Sequence, residues 1–247
     1  MKITTVLMAA LVLSAGVVCA QTTIIINGKT IRAADNSVIA NDNTVMINGK
    51  VVSGNVTEGS GQDATEIREL DGFNEVHLYL SANVRVTPGE TPRCRITTDD
   101  NIIPLISTKI SDGALRISTD HSYVTNRKVT IDVETPRLTK AEVNGSGNID
   151  LREVAEDRLA LAISGSGDIA AKGRVEDLTV AINGSGNVDA TDLEAATATV
   201  AVNGSGDADV NVAKFLTAKI LGSGNIRYIG TPDMRTSVLG SGELVRK

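Results

Sequence analysis

The sequence predicts an all-β protein built around a short parallel β-helix, whose coils of 18–20 residues stack on one another. The tripeptide Gly-Ser-Gly occurs six times between residues 145 and 242, at intervals of 20, 19, 20, 18 and 18 residues. Apolar and polar residues alternate on both sides of each triplet, which is the pattern of a strand with one buried face. Only 2% of the residues are aromatic, and stacked aliphatic side chains suffice for the core of a narrow coil.

The glycine triplets are predicted to form the sharp corners of the coils. Glycine adopts backbone angles closed to other residues, and it lets the backbone of the next coil approach closely. The serine between two glycines is small enough to stack on the serine of the neighbouring coil. The glycines assigned to these structural turns are Gly145, Gly147, Gly165, Gly167, Gly184, Gly186, Gly204, Gly206, Gly222, Gly224, Gly240 and Gly242.

Apolar columns recur at fixed distances from the triplets. The column two residues before each triplet consists of Val143, Ile163, Ile182, Val202, Ile220 and Val238. Similar columns lie four and six residues before the triplet and two residues after it. Because alternate side chains of a strand point to the same face, all four columns are expected to line the core. A further apolar position recurs in mid-coil at Val154, Val175, Leu193 and Val212.

The β-helix domain is expected to span residues 66–247, and its first part, residues 66–142, predicts one strand after another. Val76, Leu78 and Leu80 alternate with polar residues, and similar alternation recurs around residues 84–86, 115–117 and 129–133. Turn sequences rich in Pro, Gly, Asp and Asn separate these runs. The mature chain contains no convincing helix start.

Residues 21–56 predict an N-terminal segment of β-hairpins. Asn27-Gly28 and Asn48-Gly49 each separate two β-branched runs, and Asn-Gly between such runs is a strong signal of a two-residue hairpin turn. The offset of 21 residues between them also resembles the later period, so degenerate coils are an alternative. Residues 57–65 lack apolar periodicity and are interpreted as a linker. The Gly59-Ser60-Gly61 in this linker follows no alternating strand and is not assigned to the repeat.

Residues 1–20 predict a secretory signal peptide. Lys2 precedes a short apolar run, and Cys19-Ala20 offers small residues for cleavage. Cleavage before Cys19 with lipidation is the alternative, although Val18 is an unusual residue in front of a lipidated cysteine. The mature chain has no predicted transmembrane segment, so a periplasmic, cell-surface or extracellular location is expected.

The composition excludes several functional classes. The formal net charge of the mature chain is −7, with 23 basic residues against 30 acidic ones once Lys2 is removed, which argues against nucleic acid as a partner. Cys94 would be the only cysteine left, so no intrachain disulfide can form, and a small buried side chain is expected there. His77 and His121 are too few for a zinc site, and His77 is expected at the surface. No cofactor is predicted.

Polar residues follow the triplets in a regular series. The predicted contact ladder comprises Asn148, Asp150, Asp168, Asn187, Asp189, Asp207, Asp209 and Asn225. One interpretation is a row of oxygen ligands for Ca²⁺ or for the hydroxyls of a glycan. The other is ordinary turn chemistry, with stacked amides and carboxylates that keep the surface solvated. In the first interpretation Asp189 and Asp209 are the central pair, and their mutual repulsion should make them dispensable for folding.

Several segments of the chain resemble the putative auto-transporter adhesin, head GIN domain family. They are residues 68–76 (RELDGFNEV), 84–89 (VRVTPG), 112–117 (DGALRI) and the series of Asn-Gly-Ser-Gly-Asn-Ile motifs. The resemblance covers residues 66–247 and implies a right-handed parallel β-helix in a secreted or surface protein. It carries no catalytic residues, and the hairpins before residue 57 fall outside it.

Two functional classes are compatible with these features. The first is a non-enzymatic surface or periplasmic module, a putative adhesin or structural protein that binds a glycan or another surface protein. The second is a polysaccharide-acting lyase or hydrolase, because such enzymes use longer β-helices. The scarcity of aromatic residues and of inserted loops favours the first class.

Overall fold

The computed structural model describes residues 56–247 in full and, before them, the backbone of five strands. The predicted signal peptide and Cys19 lie outside the described residues. In chain order, the strands are β1 (Thr22–Ile26), β2 (Lys29–Ala33), β3 (Val38–Asn41), β4 (Thr44–Ile47), β5 (Lys50–Ser53), β6 (Val56–Glu58), β7 (Asp63–Glu69), β8 (Glu75–Leu78), β9 (Asn83–Pro88), β10 (Arg93–Asp99), β11 (Ser107–Ser111), β12 (Ala114–Ser118), β13 (Ser122–Val124), β14 (Thr130–Thr135), β15 (Lys140–Gly145), β16 (Asn148–Gly165), β17 (Ile169–Gly184), β18 (Val188–Gly204), β19 (Ala208–Gly222), β20 (Ile226–Ile229), β21 (Asp233–Gly240) and β22 (Leu244–Arg246).

The first of two compact units contains β1 to β6 together with β13. β1 and β2 pair antiparallel with Ile26 opposite Lys29, and β4 and β5 pair antiparallel with Ile47 opposite Lys50. β3 joins β4 in a three-stranded sheet, and β6 pairs with β13 in parallel. Because these are local antiparallel pairs, the hairpin interpretation is confirmed and the alternative of degenerate coils is wrong.

The second unit contains residues 59–121 and 125–247, and its strands form one sheet of 15 strands. β7, β10 and β14 pair antiparallel, and β14 then continues in parallel through β9 to β16. On a second branch, β11 pairs antiparallel with β12, and β12, β8 and β15 then pair in parallel as far as β16. The strands predicted for residues 66–142 are confirmed. Among residues 56–247 the one helical element is the 3₁₀ turn Ile103–Leu105, and no helix there is long and apolar enough to cross a membrane.

From β15 onward the chain forms a β-solenoid of about five turns with coils of about 20 residues, as predicted. β16, β17, β18 and β19 are 15–18 residues long, and each runs through most of one coil. All neighbouring coils pair in parallel, and the first glycines of successive triplets are register partners. The end of each strand at a triplet follows from the positive backbone φ of that glycine.

The predicted apolar columns form the core of the solenoid in every coil except the last. The column two residues before the triplet is fully buried at Val143, Ile163, Ile182, Val202 and Ile220. The mid-coil residues Val175, Leu193 and Val212 are no more than 2% exposed. Full burial of such a side chain stabilises the fold by about 1.5–3 kcal/mol. Cys94 is also fully buried, as predicted.

The last coil departs from the prediction. Val238 and Met234 continue the inner columns in register, yet they are 44% and 45% exposed. Every residue of β21 is exposed, because among the described residues this strand has a partner, β19, on one side only. A residue of an inner column is therefore buried only when a coil lies on each side of it.

The glycine corners explain how the coils approach so closely. Gly184 has a φ of +138°, a left-handed conformation that strains any residue with a Cβ atom. At Gly186, the second glycine of the same triplet, a Cβ atom would lie 2.0 Å from the carbonyl oxygen of Gly167 and 2.9 Å from Cγ2 of Ile163. Both glycines are needed: a Cβ atom at Gly184 would also lie 2.2 Å from the carbonyl oxygen of Gly165, so the first glycine is required for its backbone angle and for space, and the second for space.

The segment 57–65 differs from the predicted linker. Residues 57 and 58 belong to β6, and residues 63–65 begin β7. Between them, the backbone N–H of Gly61 donates to Oδ1 of the buried Asp99 at 2.8 Å, and that of Ser60 donates to Oδ1 of Asn101 at 2.9 Å. These contacts with residues about 40 positions away fix the segment, and periodicity within a short window could not reveal them.

Replacing Gly186 with Ala should lower the free energy of unfolding by about 1–3 kcal/mol, because the added methyl group meets a backbone carbonyl that cannot move alone. Gly72→Ala is the control, since a Cβ atom at Gly72 would have no atom within 4 Å. Urea unfolding of both variants measures the difference. Equal midpoints would show that the second glycine of the triplet is not sterically required.

Val202 and Val238 occupy the same column, with exposed fractions of 0% and 44%. We expect Val202→Ala to cost about 1–3 kcal/mol, because a buried valine loses both transfer free energy and packing. Val238→Ala should cost well under half of that. Thermal unfolding of the two variants tests the comparison, and an equal loss would mean that the last coil is covered in solution.

Candidate functional site

The residues of the predicted contact ladder fall into two parallel rows on one face of the sheet. Asn148, Asp168, Asn187, Asp207 and Asn225 form the first, which we call the amide row. Asp150, Asp189 and Asp209 belong to the second, the charged row, in which Ala170 separates Asp150 from Asp189. Together the two rows define the post-triplet face.

The amide row is built into the contact between coils. In each coil a side-chain oxygen accepts a hydrogen bond from the backbone N–H of the row residue in the next coil, as from Asp168 to Asn148 and from Asn187 to Asp168. Asn187 Nδ2 also donates to Asp168 Oδ1 at 2.9 Å, and Asn225 Nδ2 donates to Asp207 Oδ1 at 3.0 Å. The alternation of Asn and Asp therefore matches a donor to a carboxylate acceptor. One oxygen of each residue is committed to the fold.

The charged row carries its own counterions. Asp189 and Asp209 are register partners in adjacent coils, as expected from the sequence. Arg227 Nη1 lies 3.1 Å from one Asp209 oxygen, and Lys247 Nζ lies 2.9 Å from the other. The expected repulsion between the two aspartates is therefore offset by cations. Removal of Asp209 would leave Lys247 without its ion pair, whereas Arg227 would keep Asp207.

Hydrogen bonds and charges lower the pKa of two carboxyl groups on this face, Asp189 and Asp207. Burial alone would raise the pKa of Asp189, but hydrogen bonds from Thr191 and the charges of Lys247 and Lys172 outweigh it, so the pKa lies below its ordinary value. Burial would also raise the pKa of Asp207, but hydrogen bonds from Asn225 and the positive charge of Arg227 outweigh burial, so this pKa is lowered as well. A carboxyl group with a lowered pKa is a poor general acid at neutral pH.

Both rows continue beyond the coils, which the sequence did not indicate. The amide row extends through Asn83, Thr130, Thr97 and Thr65 on β9, β14, β10 and β7. The charged row extends through Arg85, Asp132, Arg95 and Ile67 on the same strands. Alternating polar residues mark the outer face of each strand, but the order of the strands is not encoded locally. The post-triplet face thus crosses ten strands, or about 40 Å at ~4.8 Å per strand.

A groove of about 250 Å³ opens on this face where the antiparallel strands lie. Its lining residues are Ile67, Arg85, Thr87, Arg93, Arg95, Asp132 and Glu134. Arg93 Nη2 lies 2.8 Å from Glu134 Oε1, and Arg85 Nη1 lies 3.3 Å from Asp132 Oδ1. The groove is therefore lined by three guanidinium groups and two carboxylates.

His77 is not at the surface, which corrects the prediction. It is 6% exposed, and its Nε2 lies 2.9 Å from Glu75 Oε2 and 3.8 Å from Glu142 Oε2. β8 lies between β12 and β15, so side chains from both neighbours crowd the polar face of the strand. No group of three or more His, Cys, Asp or Glu side chains in residues 56–247 is placed to hold a metal ion.

The family model described as "putative auto-transporter adhesin, head GIN domain" matches residues 72–232. Solved structures of similar fold include a putative adhesin from Bacteroides fragilis, 22% identical, with a TM-score of 0.65, covering 77% of this chain and 99% of that one. A putative lipid binding protein from Parabacteroides distasonis is 21% identical, with a TM-score of 0.54, covering 77% of this chain and 98% of that one. A putative adhesin from Parabacteroides merdae is 19% identical, with a TM-score of 0.52, covering 78% of this chain and 100% of that one. At these identities the likeness shows the fold alone. Among the curated proteins, none matches the sequence significantly.

The lowered pKa of Asp207 predicts a loss of stability in acid. Its stabilising contacts with Asn225 and Arg227 exist only in the folded chain, so the contribution is complete above about pH 5 and is lost as the pH falls through the folded pKa. The free energy of unfolding should therefore fall less steeply between about pH 5 and pH 2 in Asp207→Asn than in the parent. Urea titrations at several pH values measure these slopes. Asp157→Asn, a change at an exposed site, should keep the parental slope, and a parental slope in Asp207→Asn would contradict the argument.

Proposed function

Because the chain belongs to the putative auto-transporter adhesin, head GIN domain family, we propose that it is an exported adhesin-type module that binds a repeating ligand along the post-triplet face. The observation that carries the proposal is the continuity of the amide row, which has a polar residue at every position from Thr65 to Asn225. The ligand class that fits these rows is a glycan chain, whose hydroxyl groups hydrogen-bond to carboxylates, amides and guanidinium groups alike. A regular protein surface is the second candidate.

The spacing of the face favours a ligand that repeats. Each strand presents polar groups about 4.8 Å from those of the next. One such group contributes little in water, but several contacts along one chain add up because each first contact raises the effective concentration of the next. In the amide row, the side-chain oxygens that accept backbone hydrogen bonds fix the distance between neighbouring coils. The remaining polar atoms, such as the second oxygen of Asp168, which has no hydrogen bond among the described residues, are then available to a ligand.

The alternative of a polysaccharide-acting enzyme has less support. The solenoid strands are joined at the corners by only two or three residues each, as at residues 146–147 and 166–168, so no long loops rise beside the face to form a deep cleft. Asp189 and Asp207 on the face, and Glu142 on β15 before the triplet, are the carboxyl groups of the described residues with a perturbed pKa, and in all three the pKa is lowered. A glycosidase requires an acid whose pKa is raised. We therefore retain the binding function.

Export remains part of the proposal. It rests on the signal peptide predicted for residues 1–20 and on the membership of an adhesin family. The absence of lipid rests on Val18 before Cys19. Mass spectrometry of the native protein tests both points, since the expected N-terminus is Gln21, and a diacylglycerol adduct on Cys19 would contradict the unlipidated form.

Ala170 and Ala181 offer a matched test of the face. Both are half-buried alanines on β17; Ala170 lies in the charged row, and Ala181 lies on the strand portion before the triplet. We expect Ala170→Leu to weaken adhesion severalfold, because an isobutyl group would separate a ligand from the polar row, whereas Ala181→Leu should adhere like the parent. Adhesion is measured with protein-coated beads on cultured epithelial cells and on immobilised oligosaccharides, after circular dichroism has shown that both variants fold. Equal adhesion of the two variants would rule out the post-triplet face as the contact surface.

A further inference from the structure

Arg95 lines the groove, and its guanidinium group has no partner among residues 56–247. By register it lies between Ile67 and Asp132 in the charged row. The carboxylate of Asp132 is 3.3 Å from Arg85, its register partner on the opposite side. Arg95 is exposed, and its side chain makes no ion pair or hydrogen bond within residues 56–247. Among arginines that line one groove, it is the one whose five N–H donors all remain available.

The surroundings of Arg95 suit a ligand that is both anionic and partly apolar. Arg93 flanks it on β10 and already neutralises Glu134, and Arg85 neutralises Asp132, so the positive charge of Arg95 is the uncompensated one in the groove. A guanidinium group binds a carboxylate through two parallel hydrogen bonds. On the other side, Ile67 is 54% exposed and offers an apolar surface next to these donors. A saccharide ring presents C–H groups on one face and can carry a carboxylate at its edge.

We infer that the groove around Arg95 binds the carboxylate of an acidic sugar residue, with the ring lying against Ile67 and hydroxyl groups reaching Thr87 and Asp132. This inference rests on the proposed function and narrows its ligand class from glycans to uronate-type glycans. The net charge of −6 for the whole chain opposes dense polyanions such as nucleic acids. A saccharide with one carboxylate in every second residue avoids most of that repulsion and still provides a charge for Arg95.

Two tetrasaccharides of equal length provide the probe. The hyaluronan tetrasaccharide alternates glucuronate with N-acetylglucosamine, whereas chitotetraose contains N-acetylglucosamine alone and is neutral. Isothermal titration calorimetry should show tighter binding of the hyaluronan tetrasaccharide, with an affinity that falls as salt is raised. Arg95→Gln should weaken this binding about tenfold or more, because a charge-assisted pair is lost. Asp132→Asn should strengthen it, because it removes a negative charge beside the bound carboxylate and frees Arg85 from its ion pair.

Arg158→Gln is the matched control, since Arg158 is an exposed arginine outside the groove. This variant should bind the hyaluronan tetrasaccharide with the same affinity as the parent. Parental binding by Arg95→Gln, equal affinity for the two tetrasaccharides, or no binding of the hyaluronan tetrasaccharide would each overturn the inference. If the calorimetry overturns the inference, the proposed function is still supported as long as Ala170→Leu loses adhesion to cells and Ala181→Leu does not. If instead those two variants adhere equally, the proposed function fails, whatever the calorimetry shows.

Discussion

Close stacking of backbone on backbone at the glycine corners is the constraint on which the rest of this structure depends. At Gly186 and at its counterparts in the neighbouring coils, the carbonyl oxygen of the preceding coil occupies the place that a Cβ atom would need. A side chain at this corner would push two coils apart, and the separation would be felt along the whole coil, because the strands on both sides of the corner pair with the same neighbour. Aliphatic packing and hydrogen bonding between coils thus require the same spacing.

The polar face is a consequence of that stacking. Once the coils are in register, a polar residue that recurs at one place in the repeat must lie about 4.8 Å from its equivalents. Carboxylates in such a column would repel each other. The chain avoids this by alternating Asp with Asn in the amide row and by placing Arg227 and Lys247 against the charged row. The result is a face that is rich in hydrogen-bonding groups and whose carboxylates are partly neutralised by neighbouring cations.

The two ends of the solenoid differ in the described part of the chain. β8 and β9 pair with the first coil and bury its inner residues, and the same two strands connect it to the antiparallel sheets. The branch of the sheet through β9, β14, β10 and β7 extends the polar rows and contributes the arginine groove. At the other end β21 is exposed along its whole length. The groove therefore lies where the coils merge with antiparallel strands, away from the exposed last coil.

The sequence by itself determined the solenoid, because its information is periodic. The spacing of Gly145, Gly165 and the later triplets defines the coil length, and alternation around them identifies the inner residues without any knowledge of distant contacts. The antiparallel pairs β1–β2 and β4–β5 followed from equally local turn signals in the sequence. Residues 148–225 of the polar ladder were likewise predictable as a series.

Only the tertiary structure decided which strands of residues 59–135 lie beside the first coil. Arg85, Asp132 and Arg95 join the charged row because β9, β14 and β10 pair in an order that differs from their order in the chain. His77 is buried for a similar reason, since β12 and β15 flank it from distant parts of the sequence. Periodicity reports which face of a strand is buried, but the neighbour of a strand depends on long-range pairing, and no repeat encodes that pairing here.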